Sequence, residues 1–494
     1  MARTPVGRYD IIRACNDPAL FAPWFKDRAS WRAWLAFLRH LFGLVCSPSD
    51  LQIIKERTGR LPMKRHRYTE AWLIVGRRGG KSQIVALIAV FLAFFYDWRP
   101  YLSPGEYGTI IIVAADRLQA RTILRYIKGF VDNIPFFKKE KTRDTAMSVE
   151  FLKRRIAIEV HTTSFRATRG YTIVAALLDE VAFWRADDTA HPDEEVIAAI
   201  RPGMATIPGA MLLAASSPYS RRGVLYDTHK KYFGQEDQDI LVWHGDTKSM
   251  NPSISQKWLD RQYDKDPVRA AAEYGAQFRS DIEDFVPEEV VDACIDIDAF
   301  ERPYFSKWNY TAFADPSGGS QDSFALSIGH PEGTERHVDL IREWPAPFDP
   351  DEVIDEAAKL IKAYAITKVS GDNYAGNWPI AKFKKLGVVY EPCGVRKSDL
   401  YRDALPILNA KGAHLLNNRK MKTQIISLER RNSRGGKFMI DHPVGGKDDV
   451  ANAVLGLLAR MHAVSVDFNE DQVFVGPDLD TAQAEGVFQS LGAM

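Results

Sequence analysis

The chain has 494 residues, of which 46% are hydrophobic and 26% are charged, and its formal net charge is +1 at pH 7. This length exceeds one ordinary hydrophobic core and predicts two or three domains, while the composition is that of a soluble globular protein. The four cysteines are scattered with no CxxC pair, which argues against a disulfide framework or a zinc site and fits a reducing cytosol. The first ten residues lack the apolar core of a signal peptide.

Charge is unevenly distributed along the chain. Segment 51–81 holds nine Lys and Arg against two Glu, and segment 411–437 holds eight against one. The last thirty residues, 465–494, hold six acidic residues and no Lys or Arg. The basic segments indicate a polyanionic partner and the acidic end a protein-docking segment, with ordinary solvated faces as the alternative for each.

The first strongly marked element is a strand over 71–75, followed by a glycine-rich loop and an apolar run over 84–96. Strand, glycine loop and helix form the context of a Walker A phosphate-binding loop. In this reading Lys81 reaches the β- and γ-phosphates of ATP and Ser82 ligates Mg²⁺. The loop departs from GxxxxGK[ST], because a valine stands at the first glycine position. The predicted cofactor-binding residues are Gly76, Arg77, Arg78, Gly79, Gly80, Lys81 and Ser82.

The apolar run after the loop has 13 residues. A membrane span needs about 20 apolar residues, so the run predicts a buried core helix and no membrane association.

A second motif places two acids at the end of a buried strand over 173–178. This is the Walker B pattern, in which Asp179 holds Mg²⁺ through water while Glu180 orients and deprotonates the attacking water. Further strands over 108–115, 156–161, 210–218 and 239–244 alternate with helical patterns and predict a mostly parallel sheet. Two serines at the end of one of these strands, Ser216 and Ser217, either sense the γ-phosphate or form a turn.

Four arginines are candidates for stabilising the γ-phosphate. Arg77 and Arg78 lie inside the loop and can act in cis or pair with acids of a neighbouring subunit. Arg166 and Arg169 precede the Walker B strand and can act in trans. DNA contacts or surface charge are the alternative for each.

From residue 310 the order of predicted elements is βββαβαβ followed by helices, which is typical of an RNase H-like domain. Asp315 ends its first strand, Asp372 ends its fourth, and Asp448 and Asp449 open an amphipathic helix. Together these carboxylates can bind two divalent ions about 4 Å apart and cut a phosphodiester by in-line attack of water. Two reserve candidates, more typical of turns, are Asp322 and Asp441.

The combined motifs resemble those of the large terminase subunit, the genome-packaging motor of tailed bacteriophages. The residues that carry the resemblance are GRRGGKS (76–82), LLDE (177–180), ASSP (215–218), FADP (313–316), SGDN (370–373) and KDDVANA (447–453). The resemblance implies that an arginine of the non-standard Walker A loop, here Arg77, helps to sense or stabilise the γ-phosphate. It also implies that Arg169 is a trans-acting arginine finger.

The resemblance implies an α/β fold in two main parts. A P-loop ATPase domain of the ASCE type with N-terminal lid helices is expected over 1–250 and a helical linker subdomain over 251–305. An RNase H-like nuclease domain follows over 306–464, and an acidic tail suited to portal docking over 465–494.

The implied activities are ATP hydrolysis with Mg²⁺, driving translocation of double-stranded DNA, and endonucleolytic cleavage with two Mg²⁺ or Mn²⁺ ions. The implied partners are the portal protein of the procapsid, a small terminase subunit and further copies in a ring, with five subunits expected on the portal and a monomer in solution. The location implied is the cytoplasm of a bacterial host. A helicase or repair ATPase fused to an RNase H-like nuclease is the main alternative function, and a transposase or a binding protein with decayed sites explains fewer motifs.

Overall fold

The computed structural model describes residues 9–62, 64–115, 117–162, 170–185, 189, 191–236, 239–372, 378–432, 438–443 and 445–461. Among these residues, none of the helices combines the length and the apolar character needed to span a bilayer.

The first half of the chain is built on an eight-stranded sheet. Its strands are β1 (Glu70–Val75), β2 (Gly108–Ala114), β3 (Arg143–Asp144), β4 (Ser148–Phe151), β5 (Ile156–Thr162), β6 (Thr172–Asp179), β7 (Met211–Ser216) and β8 (Ile240–Gly245).

The order across this sheet is β3-β4-β5-β2-β6-β7-β1-β8. All pairs from β5 to β8 are parallel, and only the edge strands β3 and β4 run antiparallel. The predicted mostly parallel sheet is therefore confirmed. Because β7 alone separates β1 from β6, the ends of the loop strand and of the acidic strand open on one edge of the sheet.

Helices cover both faces of this sheet. They are α1 (Ile11–Asn16), α2 (Arg32–Leu41), α3 (Pro48–Thr58), α4 (Lys81–Phe95), α5 (Arg117–Asn133), α6 (Pro135–Lys138), α7 (Pro192–Met204) and α8 (Val224–Tyr232). Every residue of α4 from Ile84 to Phe95 is buried, and α2 packs into the same core. The apolar run is a core helix, as predicted, because it is covered by other elements on all sides.

The second half of the chain forms two further sheets. Its strands are β9 (Ile282–Asp284), β10 (Ile295–Asp296), β11 (Thr311–Asp315), β12 (Phe324–Glu332), β13 (Glu335–Trp344), β14 (Lys368–Gly371), β15 (Val389–Pro392), β16 (Ala413–Leu416), β17 (Glu429–Asn432) and β18 (Phe438–Asp441).

The larger of these sheets has the order β10-β16-β13-β12-β11-β14-β15. Strands β11 to β13 form an antiparallel meander, and β14 and β15 run parallel to β11. This confirms the order of strands that the RNase H-like pattern predicted. The smaller sheet, β18-β17-β9, is antiparallel and contains the basic hairpin expected near residue 430.

The helices of this half are α9 (Thr247–Met250), α10 (Gln256–Lys265), α11 (Pro267–Glu273), α12 (Glu288–Asp292), α13 (Pro350–Ala363), α14 (Trp378–Lys385), α15 (Lys397–Asn409), α16 (Arg419–Ser427) and α17 (Asp449–Arg460). Helix α17 lies close on β11, because a Cβ on Gly456 would come within 2.5 Å of the Phe313 ring. This close approach brings the start of α17 towards the end of β11.

The predicted linker, 251–305, is helical only in part. Helices α10 and α11 pack on each other, whereas β9 pairs with β17 and β10 pairs with β16. The part of the segment from β9 onwards therefore shares its sheets with the second half of the chain. The four domain boundaries themselves stay a prediction.

Candidate functional site

The loop between β1 and α4 has a conformation that requires glycine. Gly80 has a φ of 97°, in the left-handed region that favours glycine. A Cβ on Gly76 would lie 2.4 Å from the Thr247 hydroxyl oxygen, so a larger residue there would push α9 away. These glycines permit the tight turn in which backbone N–H groups at a helix start can face phosphates.

Three side chains from separate elements hold the loop. Trp34 on α2 donates its indole N–H to the carbonyl of Gly79 (2.8 Å). Thr247 on α9 donates its hydroxyl to the carbonyl of Arg77 (2.7 Å), and Asn251 donates its amide to that of Arg78 (2.8 Å). The loop is thus pre-organised by the N-terminal helices and by the segment that follows β8.

A buried lysine and two acids meet beside the loop. Lys81 is 6% exposed, donates to the carbonyl of Val75 (2.6 Å) and lies 3.6 Å from Glu180 Oε1. Asp179 is also buried at the end of β6. Burial, with the neighbouring charge of Glu180, raises the pKa of Asp179 to about 7, while Lys81 opposes the shift. A metal cation at Asp179 would favour its charged form.

Glu180 is held by the two serines that end β7. Its Oε2 accepts hydrogen bonds from the Ser216 hydroxyl (3.2 Å) and from both the backbone N–H and the hydroxyl of Ser217 (3.1 Å each). Its φ of 50° is a strained backbone conformation of the kind that functional sites retain. The contact gives these serines a role in positioning Glu180, beyond that of a turn.

The arginines occupy different positions from the one predicted. Arg77 is turned towards α11, where its guanidinium lies 3.5 Å from Glu273 Oε1, and Arg78 is exposed. Arg166 and Arg169 lie outside the described residues. The γ-phosphate roles of all four arginines stay predictions. Ser82, the second residue of α4, lies next to Lys81 as expected.

The second candidate site is a cluster of four aspartates. Asp315 ends β11, and Asp372 follows β14 and donates its backbone N–H to the carbonyl of Ala314 (3.2 Å). Asp448 precedes α17 and Asp449 begins it. Burial raises the pKa of Asp315 well above its ordinary value, and the charges of Asp449, Asp448 and Asp372 add to the shift. The structure therefore brings the four predicted carboxylates together.

The two adjacent aspartates have different partners. Asp448 is buried, accepts a hydrogen bond from the Tyr401 hydroxyl (2.7 Å) and forms an ion pair with Lys397 (2.9 Å). Asp449 Oδ2 is buried and has no hydrogen-bond partner within the described part of the chain. Burial and the charge of Asp448 raise the pKa of Asp449 to about 6.

A divalent ion fits this cluster. The side-chain oxygens of Asp449 and Asn452 that lack a partner among the described residues are buried, and an uncompensated buried acceptor is costly. Every donor is an oxygen, which suits Mg²⁺ or Mn²⁺. Asp315, Asp372 and Asp449 are the residues that would hold it.

Three residues of this site escaped the sequence reasoning. Lys397 and Tyr401 lie one turn apart on α15, about fifty positions before the aspartates they contact, and only that i,i+4 spacing signalled a shared face. Asn452 hydrogen-bonds with Asp315 and stands one turn into α17. Of the reserve candidates, Asp441 lies 3.3 Å from Lys397 Nζ, while exposed Asp322 lies 3.8 Å from Lys447 Nζ.

Comparison with known proteins gives the following similarities. A family model described as the N-terminal P-loop domain of the uncharacterized protein MJ0330 matches residues 49–276. The chain is similar to the HK97 bacteriophage large terminase at 15% identity, covering 80% of this chain and 91% of that chain with a TM-score of 0.36. It is similar to the large terminase of a thermophilic bacteriophage at 12% identity, covering 86% and 97% with a TM-score of 0.37.

Its second half is similar to the large terminase nuclease of the thermophilic phage G20c at 14% identity, covering 35% of this chain and 97% of that chain with a TM-score of 0.32. The large terminase of the first thermophilic bacteriophage has also been solved with ADP and with ATP-gamma-S, and the G20c nuclease with magnesium and with cobalt. No curated protein matches the sequence. Residues 49–276 thus match a P-loop family, and the solved structures to which the chain is similar are bacteriophage large terminases.

Proposed function

We propose that this chain is an ATP-driven DNA-packaging motor subunit of the large-terminase type. It would move double-stranded DNA into a viral procapsid and cut concatemeric DNA with a metal-dependent endonuclease. The observation that carries the proposal is the contact between the phosphate-loop half and the carboxylate-cluster half. It runs through the segment that follows β7.

That segment touches both sites. Ser217 holds Glu180, and two residues further on Tyr219 donates its hydroxyl to Glu429 on β17 (3.0 Å). Arg222 donates to the other oxygen of the same carboxylate (2.7 Å). A change at Glu180 can therefore reach the hairpin β17–β18 through a few bonded residues, which is what a chain that couples ATP turnover to work on DNA needs.

The ATP step assigns a role to each residue around the loop. Lys81, now near Glu180, would bind the β- and γ-phosphates and release the carboxylate to act as general base. Ser82 and Asp179 would hold Mg²⁺, which supplies charge neutralisation on the phosphates. Ser216 and Ser217 keep Glu180 in place while it orients the attacking water.

The nuclease step uses the second sheet. Asp315, Asp372 and Asp449 would hold Mg²⁺ or Mn²⁺, which supplies an activated water and stabilises charge on the phosphate. Tyr401 and Lys397 fix Asp448, and Asn452 fixes Asp315. The basic residues of 411–437 would hold the DNA backbone without reading its sequence.

The partners belong to the same proposal. Subunits would form a ring, with five expected, on the portal protein of the procapsid, and a small terminase subunit would deliver the DNA. The arginine finger Arg169 would then act across a subunit boundary, so that an isolated subunit hydrolyses ATP slowly. The acidic segment 465–494 would dock on the portal.

The test combines two assays on purified full-length protein. Plasmid cleavage is measured in Mg²⁺ and in Mn²⁺ for wild type, Asp315→Asn and Lys81→Ala, with Asp403→Asn as a control because Asp403 is an exposed acid on α15. ATP hydrolysis is measured with and without procapsids that carry the portal.

We expect wild type, Lys81→Ala and Asp403→Asn to cut DNA and Asp315→Asn not to cut. We expect procapsids to stimulate ATP hydrolysis in all but Lys81→Ala. Cleavage by Asp315→Asn at the wild-type rate would refute the carboxylate assignment. Strand unwinding with an ATPase rate that ignores procapsids would favour the helicase or repair ATPase instead.

A further inference from the structure

Three histidines form a ladder at the end of the second sheet that lies away from the aspartate cluster. His330 on β12 pairs across strands with His337 on β13, and His337 pairs with His414 on β16. Their rings are stacked, with centroid distances of 4.9 and 4.2 Å and interplanar angles of 9° and 5°. Asp315 is paired with Ala325, so His330 lies five positions, about 17 Å, further along β12.

Carboxylates flank the ladder at the turn between β12 and β13. His337 Nε2 lies 3.7 Å from Glu332 Oε2, and His414 Nε2 lies 3.1 Å from Glu335 Oε2. One nitrogen or oxygen atom from each of His330, Glu332 and His337 lies within 4.8 Å of the others, a spacing that a single metal ion can bridge. The ladder therefore has both imidazole and carboxylate donors.

The nitrogen of His337 that faces Glu332 is unsatisfied. Its Nε2 is buried and makes no hydrogen bond to any described residue. Burial, with His414 and His330 beside it, lowers the pKa of His337 to about 4, so the ring is neutral near pH 7. A neutral imidazole with a free nitrogen is the form that binds metal ions.

A buried carboxylate orients the second imidazole. Asp339, 1% exposed, lies 2.6 Å from His330 Nδ1. This contact leaves His330 Nε2 as the nitrogen that can take a ligand. Histidines that bind metal ions usually have such a carboxylate on their other nitrogen.

We propose that His330, Glu332 and His337 form a binding site for a transition-metal ion of the Zn²⁺ or Ni²⁺ class. Two imidazoles and one carboxylate suit such ions, whereas the all-oxygen aspartate cluster suits Mg²⁺ or Mn²⁺. His414 stacks on the site from outside, because its Nε2 is already engaged by Glu335. The ion would clasp the turn between β12 and β13, and the proposal does not depend on the motor function.

The test is titration of chelator-treated full-length protein with Co²⁺, followed by visible absorption, and with Zn²⁺, followed by calorimetry. Both titrations use an Asp315→Asn background, which weakens divalent binding at the aspartate cluster. Nitrogen-ligated tetrahedral Co²⁺ absorbs far more strongly than Co²⁺ bound by oxygens alone, so the spectrum identifies the donor set.

We expect one strongly absorbing Co²⁺ site that Zn²⁺ displaces. His337→Gln, His330→Gln and Glu332→Gln should each weaken Zn²⁺ binding at least about 10-fold, and Asp339→Asn about 10-fold. His414→Gln should leave the affinity within about 3-fold. Glu332 is exposed, so its variant keeps the test decisive if a histidine variant misfolds.

The matched control is His191→Gln, because His191 lies 3.1 Å from Glu288 on another surface, where the described residues offer no third ligand. Zn²⁺ should raise the thermal unfolding temperature of the background protein and of the control, but not of His337→Gln. The proposal is overturned if no nitrogen-type spectrum appears, or if Glu332→Gln and His337→Gln bind like the background protein.

Discussion

Two adjacent carboxylates, Asp448 and Asp449, differ in what surrounds them. Asp448 is bonded to Lys397 and Tyr401, while a buried oxygen of Asp449 has no described partner. A divalent ion gains most at the carboxylate whose oxygen is buried and unsatisfied. Asp449 is therefore the stronger candidate for a metal ligand, and Asp448 is a positioning residue.

Substitution separates the two roles. Asp449→Asn should reduce plasmid cleavage at least about 100-fold, equivalent to about 2.7 kcal/mol, and should weaken Mn²⁺ binding. Asp448→Asn should affect Mn²⁺ binding less and should lower thermal stability, because the ion pair with Lys397 is lost. Calorimetric Mn²⁺ titration beside the cleavage assay measures both, and equal losses of Mn²⁺ affinity would contradict the assignment.

Glu180 gives a second prediction at the scale of single residues. Glu180→Gln keeps an acceptor for Ser216 and Ser217 but removes the base, so ATP should still bind while hydrolysis falls about 100- to 10,000-fold. Lys81→Ala should instead weaken ATP binding. Fluorescent-nucleotide binding and phosphate release are the measurements, and hydrolysis by Glu180→Gln near the wild-type rate would remove Glu180 from its role.

At the scale of elements, the contacts of α2 show how the N-terminal helices support the P-loop half. Trp34 reaches the loop, and on the same helix His40 is buried with its Nε2 3.3 Å from the Tyr68 hydroxyl. Burial, with Arg60 and His66 nearby, lowers the pKa of His40 to about 3. The ordinary value of 6.5 applies in the unfolded chain, so the neutral ring is favoured by folding.

This shift predicts an acid-sensitive contact. The stability that His40 contributes is fully present above about pH 6.5 and is lost as the pH falls towards about 3, by about 2 kcal/mol at pH 5. His40→Gln should therefore lose less stability than wild type between pH 8 and pH 5. The urea midpoint of tryptophan fluorescence measures this, with half-exposed His191→Gln as the control. A wild-type pH dependence in His40→Gln would disprove it.

Elements with a local pattern could be predicted from the sequence, and pairings between distant segments could not. The loop before α4, the acids after β6 and the order of β11 to β15 follow from glycine spacing and runs of apolar residues, which are local properties. Strand β9 lies 147 positions before β17 at their first residues (429 − 282), and nothing in either segment specifies the other. For the same reason Lys397, Tyr401 and the ladder that includes His414 emerge only when separate strands and helices are assembled.

At the scale of the whole molecule, Glu429 joins the two halves. Its carboxylate is 0% exposed and is bonded to Tyr219 and Arg222 from the segment after β7, and to Arg431 on its own strand (2.9 Å). Across the hairpin, Glu429 pairs in register with Asp441, which lies 3.3 Å from Lys397 Nζ. The contact thus connects the residues that hold Glu180 with those that hold Asp448.

Breaking this contact should separate the two activities without removing either. Arg222→Gln leaves Glu429 with Arg431 and Tyr219, so both catalytic sites keep their residues. In wild type we expect an ATP analogue to change the rate of plasmid cleavage, because Glu180 and Asp448 are linked through the hairpin. In Arg222→Gln that response should be reduced at least about 3-fold, since the lost charged hydrogen bond contributes about 1.5–3 kcal/mol to the contact. Arg143→Gln, which removes an exposed arginine 3.4 Å from Glu150, is the matched control and should respond like wild type. If Arg222→Gln and Arg143→Gln respond alike, the path from the ATP site to the nuclease does not run through Glu429, and the two halves communicate by another route or only through the DNA.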